Sequence, residues 1–194
     1  MDSDNAFLIG GDELFNHPRF IRHYEFIRKN YSPDISKPVA FFLSCSKHKP
    51  YYKSPYRRVF NSMISKNLNI REQVKIYTIS EPAIVVPEEL DDTAITQYDF
   101  PPTNMQAKGK RIFIERLANV LPKFLLAHQH IFYILPKHHR GIFEASINKI
   151  LENNINNKID KTLIASRVKY APPLTYNLPK AKAIIAQTLD ILLD

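Results

Sequence analysis

Apolar residues along the chain occur in two patterns, short continuous runs and positions three or four apart. Continuous or alternating runs rich in β-branched and aromatic residues predict buried strands at 39–43, 74–79 and 130–135. Helical spacing predicts helices at 17–31, from near Tyr56, from about 106 to 127, at 143–150 and at 181–192. Because strands and helices alternate, the pattern predicts a parallel sheet covered by helices on both faces.

Four features of the pattern give weaker predictions. Pro122 is expected to break or kink the helix at 106–127, because proline lacks the backbone N–H. Residues 161–165 are expected to add a fourth strand, and 136–141 to form a loop after the third strand. The segment 80–104 contains four prolines and six acidic residues, so it is expected to be a largely irregular but ordered functional loop.

The length of 194 residues fits a single domain, 1–194, with a substantial core. A formal net charge of +8 favours an acidic partner, of which nucleic acid is the commonest. No apolar run approaches the length of a membrane span, and the acidic amino terminus does not resemble a signal peptide. A single cysteine fits a reducing compartment, so we expect a cytoplasmic protein that does not act at a membrane.

The strongest candidate for chemistry follows the first predicted strand. Cys45 ends that strand, and Lys47, His48 and Lys49 lie within the next four residues. Nearby positive charge favours the nucleophilic thiolate, which makes Cys45 a candidate nucleophile. The alternative is a small, buried and inert thiol.

The residues after Cys45 combine aromatic rings with cations. Lys49 could bind a phosphate or carboxylate, neighbouring tyrosines could stack on a base, and Arg57 with Arg58 could contact backbone phosphates. Further along, Asp99 could orient an amine or accept a proton. A proline turn with solvated lysines, and an aspartate that caps a turn, are the alternatives.

Two adjacent histidines, His138 and His139, follow the third predicted strand. Adjacent residues do not easily share one metal ion, and no third ligand is spaced for it along the chain. We therefore expect loop histidines that face a substrate, and no metal or other cofactor.

The segment SCSKHKPYYKSPYR resembles the archaeosine synthase motif, in which Pro-Cys, Lys-Pro-Tyr, serine and histidine follow one another at fixed spacing. Cys45, Lys49, Pro50, Tyr51 and Ser54 are in register with it. SEPAIVVPEEL and ITQYDFPPTN resemble a second block of that family, and the resemblance covers about residues 16–150. The departures are Ser44 for proline, Arg57 and Gln97 for histidines, and Asn104 for glycine.

This resemblance implies a free-standing central domain of an archaeosine synthase, which modifies archaeal tRNA. The implied reaction is addition of the side-chain amine of free lysine to the nitrile of 7-cyano-7-deazaguanine in tRNA. A separate transglycosylase-like or RNA-binding subunit and a radical S-adenosylmethionine enzyme would be partners. The implied fold is a three-layer α/β sandwich with a short, mostly parallel sheet, like that of uracil-DNA glycosylase.

The resemblance and the residue types together assign a role to each candidate residue. The expected catalytic residues are Cys45, Lys49 and Asp99. The expected substrate-binding residues are Ser44, Ser46, Tyr51, Ser54, Tyr98 and Glu81, and the expected RNA-binding residues are Lys47, Lys53, Arg57 and Arg58. Two alternatives to a tRNA-modifying transferase stay open: a non-catalytic tRNA-binding subunit of a split synthase, and a glycosylase-like nucleobase-binding protein.

Overall fold

A five-stranded sheet lies at the centre of the protein. The computed structural model describes residues 6–66, 68–153 and 155–171, together with Ala183. The strands are β1 (Leu8–Ile9), β2 (Val39–Ser44), β3 (Val74–Ser80), β4 (Ile84–Pro87), β5 (Tyr98–Asp99), β6 (His130–Ile134) and β7 (Val168–Tyr170). The main sheet has the order β4-β3-β2-β6-β7, and β1 pairs with β5 in a separate two-stranded sheet.

Parallel pairing connects four of the five strands of the main sheet. β2 is flanked by β3 and β6 in parallel register, with Val39 opposite Val74 and His130, and β7 pairs in parallel with β6. Only β4 runs antiparallel, against β3. The carboxyl ends of β2, β3 and β6 therefore lie side by side at one edge of the sheet.

Helices cover both faces of this sheet. They are α1 (Pro18–Lys29), α2 (Pro55–Ile64), α3 (Leu68–Gln73), α4 (Ala107–Ala127), α5 (Lys137–Glu152) and α6 (Lys161–Arg167). Side chains alternate along β2, so Phe42 packs with the core residues of α1, α4 and α5, while Phe41 packs with those of α2 and α3. The protein is thus an α/β sandwich with two cores, one on each face of the sheet.

Three of the weaker predictions are wrong or need adjustment. Residues 161–167 form α6 rather than a strand, because Oδ1 of Asp160 accepts the N–H of Leu163 at 2.8 Å and caps a helix, and the strand β7 follows it. α4 continues through Pro122, which is buried in the core, so packing offsets the missing hydrogen bond. Segment 80–104 is more regular than expected, since it contains β4, β5 and several single 3-10 turns.

Apart from Ala183, the helix predicted at 181–192 lies outside the described residues. Among the helices that are described, none has both the length and the apolar content needed to cross a membrane.

Candidate active site

The carboxyl ends of three parallel strands bring together a cysteine, a glutamate and two histidines. Cys45 follows β2 directly, Glu81 follows β3, and His138 and His139 lie in the first turn of α5, just after β6. Crevices at the carboxyl ends of parallel strands are where open α/β sheets bind ligands. Here they enclose a cavity of about 490 Å³, lined by Cys45, Ser46, Lys47, Lys49, Glu81, Tyr98, Asp99, Phe100, Pro101, Pro136, His138 and His139.

Glu81 is the centre of the polar contacts in this cavity. Its Oε2 lies 2.9 Å from Nε2 of His139 and 3.4 Å from Sγ of Cys45, and its Oε1 accepts a hydrogen bond from Nε2 of His138 at 2.9 Å. Sγ of Cys45 is also 3.7 Å from Nε2 of His139. A thiol, a carboxylate and an imidazole therefore face one another, and we call Cys45, Glu81 and His139 the thiol cluster.

Burial and neighbouring charges shift the pKa values of this cluster in opposite directions. Glu81 and His139 are buried, at 2% and 5% exposure. Burial alone would lower the pKa of His139, but the negative charges of Cys45 and Glu81 raise it to about 10. Burial opposes ionisation of Glu81, yet the facing histidines hold its pKa well below the usual range. The cluster thus favours an imidazolium beside a carboxylate.

Lys49 also lines the cavity, together with Tyr98 and Asp99. Its ammonium donates a hydrogen bond to the carbonyl of Tyr98 and lies 3.7 Å from the centre of the Tyr98 ring. Partial burial lowers the pKa of Lys49. Asp99 is half-buried and lines the cavity next to this lysine. A cation and a carboxylate therefore line the same cavity as the thiol cluster.

Behind the cavity, three hydroxyl groups form a buried network. The Tyr51 hydroxyl lies 2.8 Å from those of both Ser80 and Tyr98, and Ser80 also contacts Tyr98. Tyr51 is buried and does not line the cavity. Tyr51 therefore supports the side of the cavity that Tyr98 lines, and its own buried ring cannot stack on a bound base.

Several predicted site residues lie outside the cavity. Ser54 is buried, and its hydroxyl accepts the N–H of Arg57 as the cap of α2, while Ser44 ends β2. The expected phosphate contact of Arg57 needs correction: this side chain is 3% exposed and donates to Oγ1 of Thr78 at 2.6 Å, within the protein. The three other predicted RNA-binding residues, Lys47, Lys53 and Arg58, are exposed.

His138 and His139 have contacts in the structure that their adjacent positions in the sequence do not indicate. They begin a helix rather than lying in a loop, and they face the cavity. No third ligand is spaced for them along the chain, but in the structure Glu81 contacts both histidines and Cys45 contacts His139, each from the end of another strand. The position of all these residues, directly after parallel strands, is the signal that could have grouped them.

A protein-family model described as "Domain of unknown function (DUF5591)" matches residues 20–169. The chain belongs to this family. The region that matches the DUF5591 model contains every residue that lines the cavity. No curated protein matches the chain.

One solved structure, titled "Crystal structure of AF0587, a protein of unknown function", resembles this DUF5591 domain with a TM-score of 0.52 and 15% sequence identity. The match covers 85% of the present chain and 48% of that chain. At this identity the likeness concerns the fold alone. The DUF5591 chain therefore spans about half the length of the structure it resembles.

Proposed function

We propose that this domain is a tRNA-modifying transferase that adds the side-chain amine of lysine to the nitrile of 7-cyano-7-deazaguanine in tRNA. DUF5591 domains are found in archaeosine synthase-like proteins, which agrees with the motif resemblance. The observation that carries the proposal is the thiol cluster, with Lys49 and Asp99 lining the same cavity.

In the first step, Cys45 adds to the nitrile. Oε2 of Glu81 lies 2.9 Å from Nε2 of His139 and holds this ring as an imidazolium, with its Nε2 3.7 Å from the sulfur of Cys45. The thiolate of Cys45 forms a C–S bond with the nitrile carbon, one π bond of the nitrile breaks, and the imidazolium donates its proton to the nitrile nitrogen. The product is a covalent thioimidate, and no oxidant or reductant is needed.

In the second step, the amine of lysine replaces the thiolate. Asp99 binds the amine and accepts one of its protons as a C–N bond forms at the thioimidate carbon. The C–S bond then breaks, the thiolate leaves with its electron pair, and an amidine remains on the base. The proton on Asp99 returns to the thiol cluster, so the enzyme is regenerated.

The two positions at which this chain lacks a histidine of the family do not line this cavity. Position 57 is occupied by the buried Arg57, and Gln97 is not among the cavity-lining residues that the structure describes. His138 and His139 bring imidazoles into the cavity from α5 instead. This arrangement favours an active domain.

Mass spectrometry of nucleosides tests the proposal. tRNA that carries 7-cyano-7-deazaguanine is incubated with the protein and lysine, and we expect the modified nucleoside to gain the mass of one lysine. Cys45→Ser and Asp99→Asn should abolish this gain, whereas Asp92→Asn, a change at an exposed position outside the cavity, should preserve it. Full transfer by Cys45→Ser would exclude the covalent route.

A non-catalytic tRNA-binding subunit is the second candidate function. It is favoured by the exposed cations Lys47, Lys53 and Arg58 and by the formal net charge of +8. In that case tRNA binding without a lysine adduct is expected from the same incubation. Release of the free base would instead favour the glycosylase-like alternative.

A further inference from the structure

We infer that the thiol cluster is a three-ligand site for one zinc-type divalent ion, with the fourth coordination position open to the cavity. The ligand atoms are Sγ of Cys45, Oε2 of Glu81 and Nε2 of His139, which all lie within 4.8 Å of one another. This inference goes beyond the proposed transfer reaction and does not depend on it.

The distances between these atoms resemble the edges of a tetrahedron around zinc. Zinc binds sulfur at about 2.3 Å and histidine nitrogen or carboxylate oxygen at about 2.0–2.2 Å, so tetrahedral ligand atoms lie roughly 3.4–3.6 Å apart. The observed separations are 3.7 Å from sulfur to nitrogen, 3.4 Å from sulfur to oxygen, and 2.9 Å from nitrogen to oxygen. Small side-chain movements would therefore bring all three atoms to bonding distance of one ion.

The chemistry of the ligands selects the class of metal. One thiolate, one imidazole and one carboxylate suit zinc and its spectroscopic substitute cobalt, whereas magnesium and calcium prefer oxygen ligands alone. Three protein ligands with an open fourth position are typical of catalytic rather than structural zinc sites. Cys45, Glu81 and His139 all line the cavity, so the open position would face a bound substrate.

The surroundings of the cluster fix the orientation of its ligands. His138 donates to the second carboxylate oxygen of Glu81 at 2.9 Å, and such outer hydrogen bonds hold metal ligands in place. Nδ1 of His139 is buried and has no partner among the described residues, so the polar contacts of this ring are made through Nε2. Two of the three ligands are buried before any metal arrives.

A metal ion and a thioimidate would compete for the same sulfur. A metal-bound thiolate has its electron pair engaged, so zinc that occupies the site should inhibit the proposed transfer reaction. Because metal binding can be measured without tRNA or lysine, failure of the transferase proposal and failure of this inference can be told apart.

Titration of the metal-free full chain with Co²⁺ tests the site. We expect one ion per chain, with a near-ultraviolet band from charge transfer between thiolate and cobalt, and displacement of the cobalt by zinc. Cys45→Ser should abolish the charge-transfer band, and His139→Asn and Glu81→Gln should weaken binding at least tenfold. His48→Asn, at an exposed position three residues from Cys45, is the matched control and should leave binding unchanged.

Two outcomes would overturn the inference: no thiolate–cobalt band in the wild-type protein, or a band that persists in Cys45→Ser. Circular dichroism of each variant shows whether it is folded. Cys45→Ser exchanges only sulfur for oxygen at a half-buried position, so this arm remains decisive even if Glu81→Gln fails to fold.

Discussion

Individual buried side chains show how burial and charged neighbours set the protonation of titratable groups in this protein. His23 of α1 is 8% exposed, and its Nε2–H donates to the carbonyl of Val85 at 2.8 Å. Burial lowers its pKa to about 4, so the folded protein holds this histidine neutral at neutral pH. In contrast to His139, His23 has no carboxylate partner among the described contacts, and it lies in the packing between α1 and β4.

This burial predicts a pH-dependent loss of stability. An unfolded His23 is protonated below about pH 6.5 while the folded one resists protonation down to about pH 4, so the unfolded state binds more protons in this window. The free energy of unfolding should therefore fall as the pH drops from 6.5 to 4, by about 3 kcal/mol from this residue.

Urea unfolding of the wild type and of His23→Gln at pH 7 and pH 4 measures this contribution. The difference in unfolding free energy between the two proteins should shrink or reverse towards pH 4, because glutamine does not titrate. The exposed His48→Gln variant should keep the wild-type pH dependence. A His23→Gln profile parallel to that of the wild type would contradict the prediction.

At the scale of elements, one carboxylate connects two loops that lie next to the cavity. Asp91, which follows β4, accepts the backbone N–H of Tyr51 at 2.6 Å and that of Tyr52 at 2.8 Å through its two oxygens. It thereby holds the turn after Lys49 against the segment that leads to β5. Lys49, directly before this turn, and Tyr98 and Asp99 of β5, directly after this segment, line the cavity.

Asp91→Asn should loosen this connection. An asparagine offers one acceptor oxygen and places a donor opposite the second N–H, so one amide loses its partner at a cost of about 1–3 kcal/mol. Chemical denaturation measures the loss. Asp92→Asn, one residue further and exposed, should change stability by less than about 0.5 kcal/mol. Equal effects of the two changes would show that the carboxylate of Asp91 has no special role.

Elements of this fold differ in how clearly their sequence predicts them. β2, β3 and β6 and the helices α1, α2 and α4 were predictable, because their apolar residues repeat with a clear period over the core. The short run Leu163–Ala165 fits either a helix or a strand by apolar content, and only the cap at Asp160 decides for α6. The thiol cluster escaped prediction as a unit because its members are distant in sequence and meet only through parallel pairing of strands.

For the whole molecule, the edge of the sheet that holds the cavity also carries exposed cations. Lys47 and Lys53 lie in the loop after β2, and Arg58 lies in the first turns of α2. All three are exposed, in contrast to the buried Arg57. With a formal net charge of +8 on the chain, an acidic partner such as tRNA would be attracted to the protein as a whole, so binding alone does not locate the interface.

A comparison of two triple variants locates the surface that binds tRNA. Lys47→Ala, Lys53→Ala and Arg58→Ala together should weaken tRNA binding and reduce the slope of log affinity against log salt by roughly 2–3, since about one released ion is lost per phosphate contact. The control removes three exposed lysines from segments that follow the far ends of α2 and α5: Lys66, Lys158 and Lys161. Both variants lower the net charge equally, so only a local interface makes the first lose more affinity. Equal losses would mean that the tRNA is held by overall charge, and that the edge around the cavity is not where the phosphates bind.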